Sequence, residues 1–318
     1  PFASFVTQAE GYDWFYLSAS HANDGVQCDY ARVAREQSAG GVFMRLNTEF
    51  PKTRLGHIGN IGAPIVPRSA YQSLDRYTNV ELIREHIVKR GGIPATVHPV
   101  YRNARDEEGS GKTYYWMQYS GLPFSLVAAP DLIKGMDIFY PSHNFDEAYT
   151  LWFTLLNQGY RIFATASSDA AFDLGRTPGG YGKLYLQLDQ TTPSEESIKN
   201  AFSAGRTFIS YGGPLIDFRV DDRVSGAVFP ADGETRNVEM TVYSAPGKDR
   251  VLELIRNGNV HESFPIDKTV AGASPFITTI SETDDAWYVA RVLSPTSRHW
   301  GACASPVYFE TKGHTPLQ

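Results

Sequence analysis

Imidazoles and carboxylates stand at the ends of several short apolar runs in this chain. His21 follows "YDWFYLSAS", and Glu49 lies near the end of "GVFMRLNTEF". His57 sits in the Gly-rich stretch "LGHIGNIG", and His98 ends "IPATVH". His143 follows "GMDIFYPS", and Asp169 closes "RIFATASSD". Neutral imidazole and carboxylate are the donors that suit Zn²⁺, Mn²⁺ or Fe²⁺. A carboxylate can use both oxygens to bridge two ions, and Glu49 with His57 and His98 would complete one half of such a site. Two ions about 3.5–4 Å apart activate a water and hold the oxygen of a leaving group. Each residue also has a plainer reading. His21 and Asp169 could cap or line a loop, Glu49 could be a solvated strand end, and His57 and His98 could close turns. His143, beside Asn144, is equally a structural residue. His86 reads as helix packing, and His261, His299 and His314 read as surface residues.

The surrounding pattern predicts what must position these groups. The runs ending at His21, Glu49, His98 and Asp169 read as buried strands. "YARVAREQSA" (Tyr30–Ala39) and "NVELIREHIVKRGG" read as helices, the second with Asn79 as N-cap and Gly91-Gly92 as its stop. Phe145–Tyr160 reads as a helix anchored by Leu151, Leu155 and Leu156. "SEESIKNAFSAG" reads as another, capped at Ser194. Short strands alternating with helices predict a parallel-sheet α/β domain over 1–212, with His57 on a loop. Ligands of such sheets gather beyond the carboxyl ends of the strands. From residue 213 onward the texture changes to alternating strands divided by Gly, Pro, Asp and Asn turns, best seen in "EMTVYSA" and "WYVARV". This predicts a separate all-β sandwich over 213–318.

Bulk composition narrows the function. The chain has 318 residues, 42% of them hydrophobic and 20% charged, with a formal net charge of −6. That balance gives a phosphate backbone no basic footprint, so no nucleic-acid partner is expected. No apolar run reaches the length of about 18 residues that a membrane span needs. The two cysteines, Cys28 and Cys303, have no metal-ligand spacing and read as two buried thiols or one disulfide. The polar loop Arg102–Lys112 precedes "TYYWMQYSG", whose aromatic residues cover a site or pack between subunits of a homo-oligomer. The abrupt start at Pro1 reads as a trimmed or processed end with a segment missing before it. Together with the sandwich it favours a periplasmic or secreted location.

Several blocks, in order, resemble the PHP (polymerase and histidinol phosphatase) superfamily of metal-dependent hydrolases, and within it the CehA/McbA-type branch. They are "EGYDWFYLSASHAND", "NTEFPKTRLGHIGNIG", "PATVHP", "LLNQGYRIFATASSDA" and "AFSAGRTFISYGGPLIDFRVDD", then "LELIRNGNV" and "WYVARV" in the β module. The resemblance implies a distorted seven-stranded (β/α) barrel, N-terminally incomplete here. It implies Glu49 as the bridging carboxylate, with His57 and His98 on one ion, His21 at a neighbouring position and Asp169 on the far side of Glu49. The chain departs from the family in three places. The opening His-x-His pair has no match, the family's Asp-His reads Ser20-His21, and its Asp-x-His reads Asp169-Ala170-Ala171. Alanine offers no ligand atom, so one or two divalent ions are expected rather than three.

The function expected on this basis is metal-assisted hydrolysis of a small-molecule phosphoester, or of a carbamate or carboxyl ester, by an activated water. Glu49 and Asp169 hold the ions, and Asp169 is also a candidate to take the water's proton. His143 is a candidate to orient substrate or protonate the leaving group. Arg176 in "FDLGRTPGGYG" is a candidate anion clamp, a surface ion pair being its alternative. Arg206 is expected to be structural. The competing expectation is a decayed hydrolase of the same fold that binds a carbohydrate or other ligand without turnover.

Overall fold

A computed structural model describes residues 14–18, 43–47, 57–62, 83–97, 99, 132–139, 145–167, 182–189, 192–247, 249–295, 297–314 and 316. Two compact units result: Pro1–Asp137 with Ser168–Gly180, and Ile138–Ser167 with Tyr181–Gln318.

In the first unit, β1 (Trp14–Ser18) and β2 (Phe43–Asn47) form a parallel pair. β3 (His57–Ile61) pairs antiparallel with β4 (Ile93–Val97). β4 runs parallel to the start of β5 (Gly135–Phe139), which continues into the residues of the second unit. The expected all-parallel arrangement is therefore corrected at β3, which enters its ladder reversed. The helix predicted before β4 is present as a π turn over Ile83–Ile87 and a 3₁₀ turn over Val88–Arg90. Gly91 ends it in the left-handed conformation, its N–H bonded to the Val88 carbonyl. Asn79 lies outside the described residues. Ile83 and Ile87 are buried, as the apolar stripe requires.

The second unit is a sandwich with helices added. Its smaller sheet runs β10 (Arg223–Val224), β9 (Leu215–Val220), β12 (Thr235–Ser244), β15 (Gly272–Ser281). The larger sheet orders β11 (Val228–Pro230), β18 (Val307–Glu310), β16 (Ala286–Ser294), β17 (Ser297–Ala304), β8 (Thr207–Tyr211) and β7 (Gly182–Leu186). β13 (Arg250–Arg256) adds to β16 and carries β14 (Asn259–Ile266). Period-two alternation sends Phe218, Met240 and Val242 from one sheet against Leu252, Leu254, Val292 and Phe309 from the other, all buried. β8 lies ahead of residue 213 yet bonds to β17, so the larger sheet draws strands from both sides of the expected boundary.

Helix α1 (Phe145–Asn157) buries Tyr149, Trp152, Phe153 and Leu156 on one stripe. Leu155 and Leu156 are buried as expected, while Leu151 is only half-buried and the aromatic residues add to the anchor. Asp146 and Glu147 occupy its first turn, where carboxylates oppose the helix dipole. Trp152 donates its indole N–H to the Ile162 carbonyl at 2.9 Å, just ahead of β6 (Phe163–Ala166). The Phe153 ring meets Trp287 of β16 at 5.1 Å. Arg291 of the same strand places its guanidinium 4.7 Å from the Tyr149 ring centre and pairs with Glu253 at 2.6 Å. Helix α2 (Glu195–Ser203) begins at Ser194, whose hydroxyl accepts the Ser197 N–H at 3.1 Å, while Ser197 returns a side-chain bond to the Ser194 N–H.

Candidate functional site

The β1–β2 register pairs Trp14 with Phe43 and continues in step to Ser18 beside Asn47. Both chains leave that ladder on the same edge. His21 follows Ser18 by three residues, and Glu49 follows Asn47 by two. Both residues lie outside the described ones. β2 in turn lies close to β3.

His57 is the first residue of β3 and the register partner of Val97. Because β3 runs antiparallel to β4, its first residue stands at the carboxyl end of β4. The residue after Val97 is His98. Register thus brings the His57 backbone beside the segment that leads into His98, which itself lies outside the described residues. The sequence reading of a loop at His57 is corrected here. Its glycines mark a strand edge under close approach: a Cβ at Gly59 would stand 3.1 Å from a Val97 methyl. Gly62, at φ 77°, ends the strand.

The two faces of this ladder differ. Ile58, Thr96 and Met136 share one face, and all are fully buried. Gly59, Ala95 and Gly135 form a row on the other face, with nothing larger than a methyl group. Asp137 follows Met136, the last β5 residue with a register partner in β4. Asp137 is 4% exposed and is the one charged residue of β5. Sequence reasoning passed over it; a carboxylate inside the apolar run "GMDIF" was the available signal.

Asp169, His143 and Arg176 lie outside the described residues, as do Ala171 and Cys28. Among the described residues, no group of three or more His, Cys, Asp or Glu side chains is placed to hold a metal. Arg206 pairs with Asp189 in the second unit, in keeping with a structural role. His314 is not a free surface residue: its Nδ1 meets Asp285, which also accepts the N–H of Thr311 at 2.6 Å. His261 stands edge-on to Tyr288, the rings 5.6 Å apart. Cys303 is a buried free thiol, and burial pushes its pKa up to about 12, so it is not a nucleophile at neutral pH.

A separate concavity of about 270 Å³ lies in the second unit between the end of α1, the start of β16 and β18. Its polar lining is largely committed to internal partners. Asn157 accepts the Trp287 indole N–H at 2.9 Å, and Arg161 pairs with Glu310 while lying 3.5 Å over the Tyr308 ring. Asp285 is engaged with Thr311 and His314. No described helix is long and apolar enough to cross a membrane.

No family model matches the chain, and no curated protein matches it. Among solved structures, the solution structure of the CARDB domain of the PF1109 protein from Pyrococcus furiosus aligns with 30% of this chain and 95% of its own, at 9% identity and a TM-score of 0.23. The crystal structure of that domain in complex with di-metal ions covers 31% of this chain and 87% of its own, at 7% identity and a TM-score of 0.23. At such scores neither likeness carries an argument about fold or function.

Proposed function

We propose that this chain is a metal-dependent hydrolase of PHP type, acting on a phosphoester or on a carbamate or carboxyl ester. The observation that carries the reading is the pairing of His57 with Val97, one residue before His98, at the carboxyl end of β4. The parallel exit of β1 and β2 toward His21 and Glu49 supports it. The donors are of the right kind for one or two ions of Zn, Mn or Fe. Glu49, His57 and His98 would hold one position, with His21 and Asp169 flanking it. When bound, such an ion would supply an activated water and charge stabilisation for the reaction.

The chain's own groups do the rest. Glu49 would hold the metal through its carboxylate. Asp169 takes the proton that the attacking water gives up. Arg176 holds an anionic part of the substrate through its two-pronged guanidinium. The test is turnover of aryl phosphate esters and aryl carbamates by the Mn²⁺- or Zn²⁺-loaded protein, with reversal by chelator. Glu49→Gln is expected to abolish activity and to lower metal occupancy. Ala171, where the family has an imidazole, favours a second reading, a site that binds ligand without turnover. Metal-loaded protein that hydrolyses neither substrate class supports that reading over the first.

A further inference from the structure

We infer that the concavity of the second unit, between the end of α1, the start of β16 and β18, is a binding site for an uncharged polyhydroxylated ligand the size of one sugar ring. The inference is independent of the hydrolase reading, because every residue it uses belongs to the second unit. The volume is about 270 Å³. Pockets for drug-sized ligands span about 300–1,000 Å³, so a single ring is the scale that fits. Charge in the wall argues against an ion. Arg161 pairs with Glu310, and His314 meets Asp285 through Nδ1. One guanidinium against two carboxylates leaves an excess of negative charge at neutral imidazole, which repels an anion. A cation meets carboxylates already engaged: Asp285 Oδ1 accepts both the N–H and the hydroxyl of Thr311, at 2.6 and 2.8 Å, and Oδ2 holds His314.

The neutral groups share one bias. Asn157 Oδ1 accepts the Trp287 indole N–H at 2.9 Å, and Asn257 Oδ1 accepts the Trp287 backbone N–H at 2.9 Å. Both amide oxygens are thereby occupied, while the Asn157 NH₂ group uses one proton on the Asn257 carbonyl at 3.2 Å and keeps the other. Tyr308 is 6% exposed, and its hydroxyl proton has no acceptor among the described residues. Arg161 lies beside it, 3.5 Å over the ring, but a guanidinium offers donors only. A buried hydroxyl without an acceptor is costly, and a ligand oxygen removes that cost. Acceptors in this wall are therefore used internally while donors are left over. The hydroxyl and ring oxygens of a sugar supply neutral acceptors, and the exposed Gln158 carboxamide oxygen can take a proton in return.

The test titrates the isotope-labelled full chain with glucose, galactose, mannose and N-acetylglucosamine, following amide and indole N–H signals by NMR. A ligand this small is expected to bind with a Kd of about 1 mM. At least one of these sugars is expected to saturate, shifting the Trp287 indole signal and the amides of Gln158, Gly159 and Asn257. Tyr308→Phe removes only the hydroxyl. It is expected to melt no lower than wild type, because the lost proton has no internal acceptor, and to bind that sugar about fivefold more weakly, the loss of one hydrogen bond. Binding is expected to survive chelation by EDTA, which separates this site from the metal site. No saturation by any of the sugars at about 50 mM, far above the expected Kd, overturns the inference and leaves a pocket that holds water only. Shifts confined to residues away from the concavity overturn it as well, as does equal affinity in Tyr308→Phe. Acetate and inorganic phosphate serve as anionic probes, and tighter binding of either than of every sugar overturns the choice of an uncharged ligand. Should Tyr308→Phe not fold, the wild-type shift map and the comparison of sugar with anion decide the matter.

Discussion

His57 stands opposite Val97 across the β3–β4 ladder, so the first residue of one strand meets the last residue of the other. A histidine that sequence places in a turn thereby reaches the carboxyl end of a parallel strand. It does so because β3 runs backward relative to β4 and β5.

Gly59 is what lets β3 approach β4 so closely. In Gly59→Val the new Cβ would stand 3.1 Å from the Val97 methyl, with two further methyls beyond it. Overpacking of this kind costs about 1–3 kcal/mol. A lower midpoint in urea with an unchanged slope is the expected result, together with weaker Zn²⁺ binding as the His57–Val97 register shifts. Wild-type stability and metal affinity in the variant would show that the register does not position the site.

Gly226 is held at φ 82°, and a Cβ there would lie 1.7 Å from the Ala204 carbonyl oxygen. Backbone strain alone is worth about 1–3 kcal/mol, and the clash forces the end of α2 to move as well. Gly226→Ala is expected to lower the melting temperature of the second unit by several degrees. A melt unchanged from wild type would contradict this account of the turn.

Glu282 is the buried centre of an ion network in the sandwich. Arg256 grips it with two bonds of 2.6 and 2.7 Å, and the Tyr288 hydroxyl donates to the same carboxylate. Burial by itself would raise the Glu282 pKa. The bonds from Arg256 and Tyr288 outweigh it and hold the carboxyl below its usual range. A depressed folded-state pKa gives stability that is fully present above the ordinary carboxylate value and is lost as pH falls through the lowered one. Glu282→Gln is expected to cost about 1–3 kcal/mol at pH 7, toward the lower end, because solvent screens the partly exposed Arg256. The gap between variant and wild type, measured by urea unfolding, should narrow steadily below about pH 4. A gap that stays constant down to pH 2 would contradict the assignment.

Much of the sandwich was legible because its strands alternate. β16 matches the run "AWYVARVLS" residue for residue, and β12 starts two residues before "NVEMTVYSA" and stops one short of its end. β14 and β17 were hidden. "NVHESFPI" carries Glu262 and Pro265 on an edge strand, and "SRHWGACA" mixes polar and small residues. The early part of β16 is buried on both faces, since α1 covers it through the Phe153–Trp287 contact. No local pattern announces that cover, which joins residues far apart in the chain. In the first unit, "FMRLN" and "IPATV" read correctly as strands with a parallel neighbour, and the reversed β3 was missed. Glycine spacing in "HIGNIG" suggested a turn, which Gly62 provides at φ 77°, whereas Gly59 lies within β3 against a Val97 methyl. Of the candidate site, the identity of the donors came from sequence. The pairing of His57 with Val97 is a property of register, which the sequence carries only through long-range pairing.

The central claim is that His57 and His98 share one cation with Glu49. Its most direct test is an anomalous-difference map from crystals of the Mn²⁺- or Zn²⁺-loaded full chain. The account predicts a strong peak within about 2.0–2.3 Å of an imidazole nitrogen of both His57 and His98 and of a Glu49 oxygen. A map in which those three side chains stand apart, with no peak among them in metal-saturated crystals, would contradict it.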